Sequence, residues 1–135
     1  MYERDYILRL ITQVGNLLRA MLHAIREQRP EDALEAAREA VAALLDTDTD
    51  LADVMTGEGL AAFLSAGGRT DVLRSRMLAE VLVVRADAYA AMGREGAKSR
   101  ERERARSVLE AAAPDADGEE ADRIGALLEQ LGVRD

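Results

Sequence analysis

The stretch "EDALEAAREAVAALL", residues 31–45, decides the fold class of this chain. Its large aliphatic residues Leu34, Val41 and Leu44 recur at intervals that place them on one face of a helix. Alanines fill the positions beside that stripe and leave room for a second helix to approach closely. Pro30 suits the first turn of a helix, where the N–H that proline lacks would have no partner. The segment therefore predicts a helix that packs tightly against a neighbour.

The segment before it, residues 5–27, has the same helical period. Asp5 is in a suitable place to cap this first helix. Leu10 and Leu17 widen one flank of its apolar stripe, and Leu8 and Leu22 widen the other. A turn of only about three residues separates the two helices, so we expect an antiparallel hairpin. The inward stripe is expected to consist of Ile7, Ile11, Val14, Leu18, Met21 and Ile25.

Residues 46–69 read as a connector between two helical hairpins. Within it, "GEGLAAFLSA" predicts one short helix, which Thr56 caps and Gly67 and Gly68 end. Phe63 is the only phenylalanine of the chain, and we expect it to reach into the core.

A second hairpin with a charged extension is expected at residues 70–113, and a terminal capping helix at 117–132. Thr70 or Asp71 caps the first helix of this hairpin, and Gly93 ends it. The run "VLVV" inside it resembles a strand on its own, but it lies within a longer helical pattern.

The terminal helix begins at Asp117, which with Glu120 resembles a capping box. Prolines and paired glycines fall at the proposed helix ends, and no convincing strand remains. Residues 1–135 therefore predict a single all-α domain of about six helices, in which residues 5–45 form the first antiparallel helical hairpin.

Composition excludes several classes of function. The net charge is −8 and the sequence pI about 4.7, whereas nucleic-acid binding relies on neutralising phosphates with basic residues. The chain has no cysteine and one histidine, so cysteine-based and multi-histidine metal sites are excluded. The start, "MYERDYILRL", does not resemble a secretory signal, and no segment is apolar enough to span a membrane. We expect a cytoplasmic protein.

Two segments share a helix–turn–helix layout, and the second resembles a tetratricopeptide repeat. In "RADAYAAMG", residues 85–93, Ala86 stands at that repeat's small position, Tyr89 at its aromatic position and Gly93 at its turn. The interval to the next helix is longer than in that repeat, and Met21 stands where the first unit would have a small residue. The small and closing positions of the second helix correspond to Ala105, Ala112 and Pro114. The resemblance implies an α–α superhelix.

Most of residues 5–131 is also similar to a family of small bacterial proteins of unknown function. The similarity lies in the "DYILRLITQ" start, in the "EDALEAAREAVAALL" helix and in the tetratricopeptide-like second half. That family has no known catalytic residues, so the resemblance implies no site.

The acidic stretch "DTDTD" resembles the start of a calcium loop, with Asp46, Asp48 and Asp50 at its first three ligand positions. Leu51 occupies the position that needs glycine, and Gly57 the position that needs glutamate. We therefore expect no metal site, and interpret these aspartates as helix-end and N-cap residues.

The run "KSRERERARS", residues 98–107, carries five basic and two acidic residues. A phosphate or an acidic partner would fit this surplus, but no aromatic residue is interleaved for base stacking. We interpret the run as a solvated, partly frayed start of a helix. Glu80 and Asp87 lie seven residues apart on one helical face, where they are either two carboxylates of one site or ordinary surface charges.

No nucleophile motif and no phosphate-binding loop is present in the sequence, so we expect no catalytic residues and no cofactor. We expect a non-enzymatic protein–protein interaction module or small helical scaffold. The alternative is a small-ligand-binding protein or an enzyme that uses a buried polar cluster. Leu10 and Leu17 mark a candidate homodimer face, unless "GEGLAAFLSA" folds over that flank within one chain.

Overall fold

The computed structural model describes residues 2–65 and 70–132, and within those ranges it contains no β-strand. The prediction of an all-α domain is confirmed. The described residues form seven α-helices instead of about six, because the connector contains two short helices instead of one. The helices are α1 (Tyr2–Arg26), α2 (Pro30–Leu45), α3 (Thr49–Val54), α4 (Gly57–Phe63), α5 (Val72–Ala91), α6 (Glu95–Ala112) and α7 (Gly118–Leu131), with a 3₁₀ turn at Ala113–Asp115.

α1 and α2 form the first hairpin, as predicted. Residues 27–29 link them, and Gln28 adopts a positive φ of 61° that reverses the chain. The backbone N–H of Arg29 donates to the carbonyl of Ala24 at 2.8 Å, which closes the turn. Pro30 begins α2, where its missing N–H costs nothing.

The remaining helices stack on this hairpin in order. α5 packs against both α1 and α2, α6 pairs with α5, and α7 packs against both α5 and α6. Near the starts of α1 and α5, Nη2 of Arg74 donates to Oη of Tyr6 at 2.9 Å. Near their ends, Leu22 and Asp87 line one groove. The two helices therefore run in the same direction.

Small residues allow the helices to approach closely. Ala33 and Ala40 in α2, and Ala105 and Ala112 in α6, are fully buried, as expected for closely packed helices. At Gly57 a Cβ atom would come within 2.7 Å of the Cβ of Ser107, so α4 lies almost directly on α6. The core is aliphatic and extends through all the longer helices.

The prediction of which flank of α1 is exposed was wrong. Leu10 is only 4% exposed and belongs to the core, and Leu17 packs partly buried against the same core. Leu8, Ile11 and Leu22 are 52%, 41% and 44% exposed. α2 and α5 cover the Leu10 flank, whereas α4 packs on α6 and not over α1 as the alternative proposed.

Most predicted helix ends agree with the structure. Asp48, Thr56 and Asp71 each accept a backbone N–H as N-caps, and Gly93 follows α5 with a φ of 75°. Gly67 and Gly68, the expected end of the short helix, lie outside the described residues.

Two caps and one core residue were predicted wrongly. Asp5 lies inside α1, which already begins at residue 2. The Asp117 side chain makes no capping hydrogen bond, and the Glu120 side chain binds Arg76 on α5 instead of completing a capping box. Phe63 is 43% exposed, and its neighbours Leu60 and Leu64 enter the core.

Candidate functional site

The aspartates that resemble a calcium loop serve as helix-end residues. Asp46 ends α2 in the left-handed conformation, and Asp48 caps α3 by accepting the N–H of Asp50 at 2.7 Å. Oδ1 of Asp50 lies 3.3 Å from Nη2 of Arg38. Within residues 4–65 and 70–132, no three histidine, cysteine or acidic side chains are grouped as metal ligands would be.

The interpretation of residues 98–107 as a solvated, frayed helix start was wrong. These residues lie inside α6, and Glu101 has no exposure to solvent. Arg104 and Arg106 are only 4% and 8% exposed. Arg104 and Arg106 are buried because carboxylates and carbonyl groups of their own and neighbouring helices face them, whereas Ser99 and Arg100 remain exposed.

Glu101 is the centre of a buried ionic cluster. Its Oε1 accepts a hydrogen bond from Nη1 of Arg104 at 2.6 Å, and its Oε2 lies 3.4 Å from Nη1 of Arg85 on α5. Arg104 also donates from Nη2 to the carbonyl of Ala52 in α3 at 2.8 Å. Arg85 extends the cluster to Asp53, whose Oδ1 lies 3.6 Å from Nη2.

We interpret this cluster as structural. The charged groups face one another, so the acidic side chains of Asp53 and Glu101 are committed to the arginines around them. A buried charge is tolerated only when it is paired in this way. The cluster joins the connector helix α3, which buries only Ala52, to the second hairpin.

The candidate functional site is a groove of about 430 Å³ between α1, α5 and α7. α1 and α5 are the first helices of the two hairpins, and α7 is the helix that follows the second hairpin. Side chains from all three helices line the groove. Apolar side chains dominate the lining, with charged and amide groups at intervals. The lining residues are Gly15, Leu18, Arg19 and Leu22 from α1, Glu80, Val83, Val84 and Asp87 from α5, and Leu127 and Gln130 from α7.

An apolar stripe on α1 extends the groove toward the start of that helix. Leu8, Ile11, Leu18 and Leu22 follow helical spacing along one face, and all but Leu18 are exposed by more than two fifths. Gly15 lies in the middle of the stripe. A Cβ atom there would meet nothing closer than Nη1 of Arg19 at 3.9 Å, so the residues described leave this position open.

The structure places both Glu80 and Asp87 on the α5 wall of this groove. Glu80 is committed, because it forms an ion pair with Arg76 one turn earlier. Asp87 makes no hydrogen bond or ion pair with any other described residue. Its side chain reaches solvent, yet the groove walls remove enough water to raise the pKa of its carboxyl, against the opposing effect of Arg102 and Lys98.

Arg76 also fixes α7 beside the groove. Its Nε donates to Oε1 of Glu120 at 2.8 Å and its Nη2 to Oε2 at 3.1 Å, a two-pronged contact between α5 and α7. This hydrogen bond raises the pKa of Arg76 and lowers the pKa of Glu120, although partial burial opposes both shifts.

Sequence reasoning named part of this groove and missed the rest. It identified Leu8 and Leu22 as one flank of α1 and Glu80 and Asp87 as one face of α5. It missed Leu127 and Gln130 because nothing local indicates that α7 folds back beside α1. The helical period around "VLVV" places Val83 and Val84 on a helix. Only the tertiary fold shows that they line a groove shared with α1.

No protein-family model, no curated protein and no solved structure matches the chain. Among the described residues, every helix is too short or too polar to cross a bilayer.

Proposed function

We propose that this protein is a non-enzymatic protein–protein interaction module and that the groove between α1, α5 and α7 binds another protein chain. The observation that carries the proposal is the continuity of the groove with the exposed stripe Leu8, Ile11 and Leu22. Large apolar side chains exposed in a row usually mark a contact surface. Stacked helical hairpins offer such surfaces on the exposed faces of their helices.

The finer features expected from the sequence belong to the same proposal. They are a tetratricopeptide-like superhelix, membership of the small bacterial family, and a cytoplasmic location without a nucleic-acid partner. The packing of α5 against both helices of the first hairpin, and of α7 against both helices of the second, supports the superhelix. The acidic net charge of −8 supports a partner other than nucleic acid.

Affinity capture with matched variants tests the proposal. Tagged wild type, Leu22→Asp and Leu51→Asp are each expressed in the source organism, and the co-purified proteins are quantified. Leu22 lines the groove and Leu51 lies away from it on α3, yet their exposures of 44% and 50% are similar. We expect at least one protein to be lost with Leu22→Asp and retained with Leu51→Asp. Identical captured sets for all three proteins would rule out the groove as the binding site.

A small-ligand-binding protein or an enzyme is the second candidate. It is favoured by the groove volume of about 430 Å³, which falls within the roughly 300–1,000 Å³ of ligand pockets. The polar groups of the groove do not converge on one point, however, since Glu80 and Asp87 are about 10 Å apart along α5. Native mass spectrometry of protein purified from the source organism distinguishes the two, because a retained small molecule adds its own mass.

A further inference from the structure

We propose that the groove is occupied by α1 of a second copy of this chain, packed antiparallel to the first, with the two-fold axis at Gly15. The inference rests on the proposed function, because it names the protein chain that the groove binds. Three independent features of α1 and its surroundings support it.

The first feature is the spacing of the exposed stripe, which is self-complementary. Leu8 and Leu22 each lie seven residues from Gly15, while Ile11 lies four residues before it and Leu18 three residues after it. In an antiparallel pair centred on Gly15, Leu8 lies opposite Leu22 of the second copy, and Ile11 lies within one residue of the position opposite Leu18. A two-fold interface requires such a patch, because both copies present the same surface.

The second feature is the glycine itself. Glycine in the interior of a helix is less stable than alanine, and the described part of the chain gives no reason for it here. A Cβ atom at this position would find its nearest neighbour, Nη1 of Arg19, at 3.9 Å. Where two helices cross, a missing side chain lets their backbones approach, so Gly15 fits the crossing point.

The third feature is charge. Arg4 continues the stripe one turn before Leu8 and is exposed. Because α1 and α5 run in the same direction and Leu22 and Asp87 line the same groove, Asp87 lies near the level of Leu22. The second copy brings its Leu8 to that level and its Arg4 one turn further along. Docking removes more water from the Asp87 carboxylate, which then needs a cation or hydrogen-bond donor. Arg4 of the second copy supplies one, in addition to Lys98 and Arg102 of the same chain, whose charges already act on this carboxyl.

Light scattering on a size-exclusion column gives the oligomeric state. Wild type, Leu8→Asp, Leu22→Asp and Leu51→Asp are compared over about a hundredfold range of concentration, since a dimer forms by mass action. We expect wild type and Leu51→Asp to reach twice the chain mass. Leu8→Asp and Leu22→Asp should stay monomeric, with unchanged circular dichroism. The substituted side chains are partly exposed, so folding is expected to survive.

Engineered cysteines test the geometry without relying on those variants, because the natural chain contains no cysteine. Under mild oxidation Gly15→Cys should cross-link to itself, since a disulfide needs Cα atoms within about 4.4–6.8 Å. Gly125→Cys, an open helical position outside the groove, is the control that should not cross-link. A mixture of Leu8→Cys and Leu22→Cys should give the mixed disulfide, because two Leu8 positions lie about 20 Å apart in the antiparallel pair.

The outcomes separate this inference from the proposed function. Monomeric wild type at every concentration, together with no cross-linking at Gly15→Cys, would overturn the dimer. The proposed function would then still stand if Leu22→Asp loses a captured protein. Self-cross-linking of Leu8→Cys in preference to the mixed disulfide would overturn the antiparallel arrangement.

Discussion

Arg104 donates a hydrogen bond from Nη1 to Oε1 of Glu101 at 2.6 Å, and their side chains are only 5% and 0% exposed. The two residues lie one turn apart on α6, so the contact is local, but its consequences are not. The same arginine reaches the carbonyl of Ala52 in α3, and the same carboxylate lies beside Arg85 of α5. One buried carboxylate therefore holds three helices together.

Glu101→Gln should destabilise the protein strongly. Removing the negative charge leaves Arg104 buried without a carboxylate partner and Arg85 with Asp53 alone. Breaking a buried ion pair in this way costs about 3–5 kcal/mol. Urea denaturation at neutral pH measures the change in the free energy of unfolding. Glu39→Gln, at an exposed position of α2, is the control and should change it by less than about 0.5 kcal/mol. Equal midpoints for both variants would contradict a central role for Glu101.

Gly57→Ala should also destabilise the protein, by about 1–3 kcal/mol, because the added methyl group overlaps Ser107. Gly125→Ala should have the opposite sign. That position is open and lies inside α7, so the exchange gains about 0.5–1 kcal/mol of helix stability. Thermal melts of the two variants compare them directly. A stabilising Gly57→Ala would mean that α4 does not lie so close to α6.

Glu120→Gln should have an effect that depends on pH. The hydrogen bond from Arg76 lowers the pKa of Glu120 in the folded state from its ordinary 4.5. A carboxyl with a lowered pKa contributes its stability above the unfolded value, and loses it as the pH falls through the folded value. At neutral pH the free energy of unfolding of the wild type should therefore exceed that of the variant. The difference should be only roughly 1 kcal/mol, because the contact is partly exposed to solvent.

The difference between wild type and Glu120→Gln should shrink as the pH falls below 4.5. Denaturation at a series of pH values measures it. Glu119→Gln is the matched control, since Glu119 lies in the same first turn of α7 but pairs with Arg123 on the exposed surface. A difference that stays constant down to acidic pH would show that charge is not what Glu120 contributes.

Ala40→Leu tests the close packing of α2. Ala40 is fully buried, so a larger side chain forces its neighbours apart at a cost of about 1–3 kcal/mol. Ala20→Leu adds the same atoms at an exposed position of α1 and should change the free energy of unfolding by less than about 0.5 kcal/mol. Chemical denaturation of both variants gives the comparison, and a tolerated Ala40→Leu would show that α2 has room beside it.

The helices and hairpins could be predicted from the sequence because their causes are local. The apolar period of residues 31–45 defines α2, and the caps at Thr56 and Asp71 are set by residues within one turn. The alanines of the close contacts could also be predicted locally, because a stripe of small residues at helical spacing indicates that another helix packs closely there.

The orientation of α1 could not be predicted in the same way. Aliphatic side chains occur on both flanks of the helix, and only the positions of α2 and α5 decide that Leu10 is buried and Leu22 is exposed. The two flanks differ by a rotation about the helix axis, which leaves the periodicity unchanged. The candidate dimer face consequently moved from Leu10 and Leu17 to the opposite flank.

The ionic cluster was missed for a related reason. A run of alternating arginine and glutamate usually forms a solvated face, and nothing within residues 98–107 distinguishes the buried Glu101 from its neighbours. Glu101 pairs with Arg85 on α5, and Arg104 donates to the carbonyl of Ala52 in α3. Both partners are far away in the chain. The same holds for Glu120. The sequence predicts that it caps α7, but its side chain binds Arg76 on α5 instead.

The attachment of α3 has a consequence for hydrogen exchange. α3 has only six residues and buries only Ala52, while Leu51 and Val54 are 50% and 77% exposed. Charged contacts from other helices hold it in place, and Ala52 is its only buried residue, so its detachment exposes little of the aliphatic core. Its amide protons should exchange with deuterium through local opening. The amide protons of α5, which is buried along most of its length, should exchange only when the whole chain unfolds.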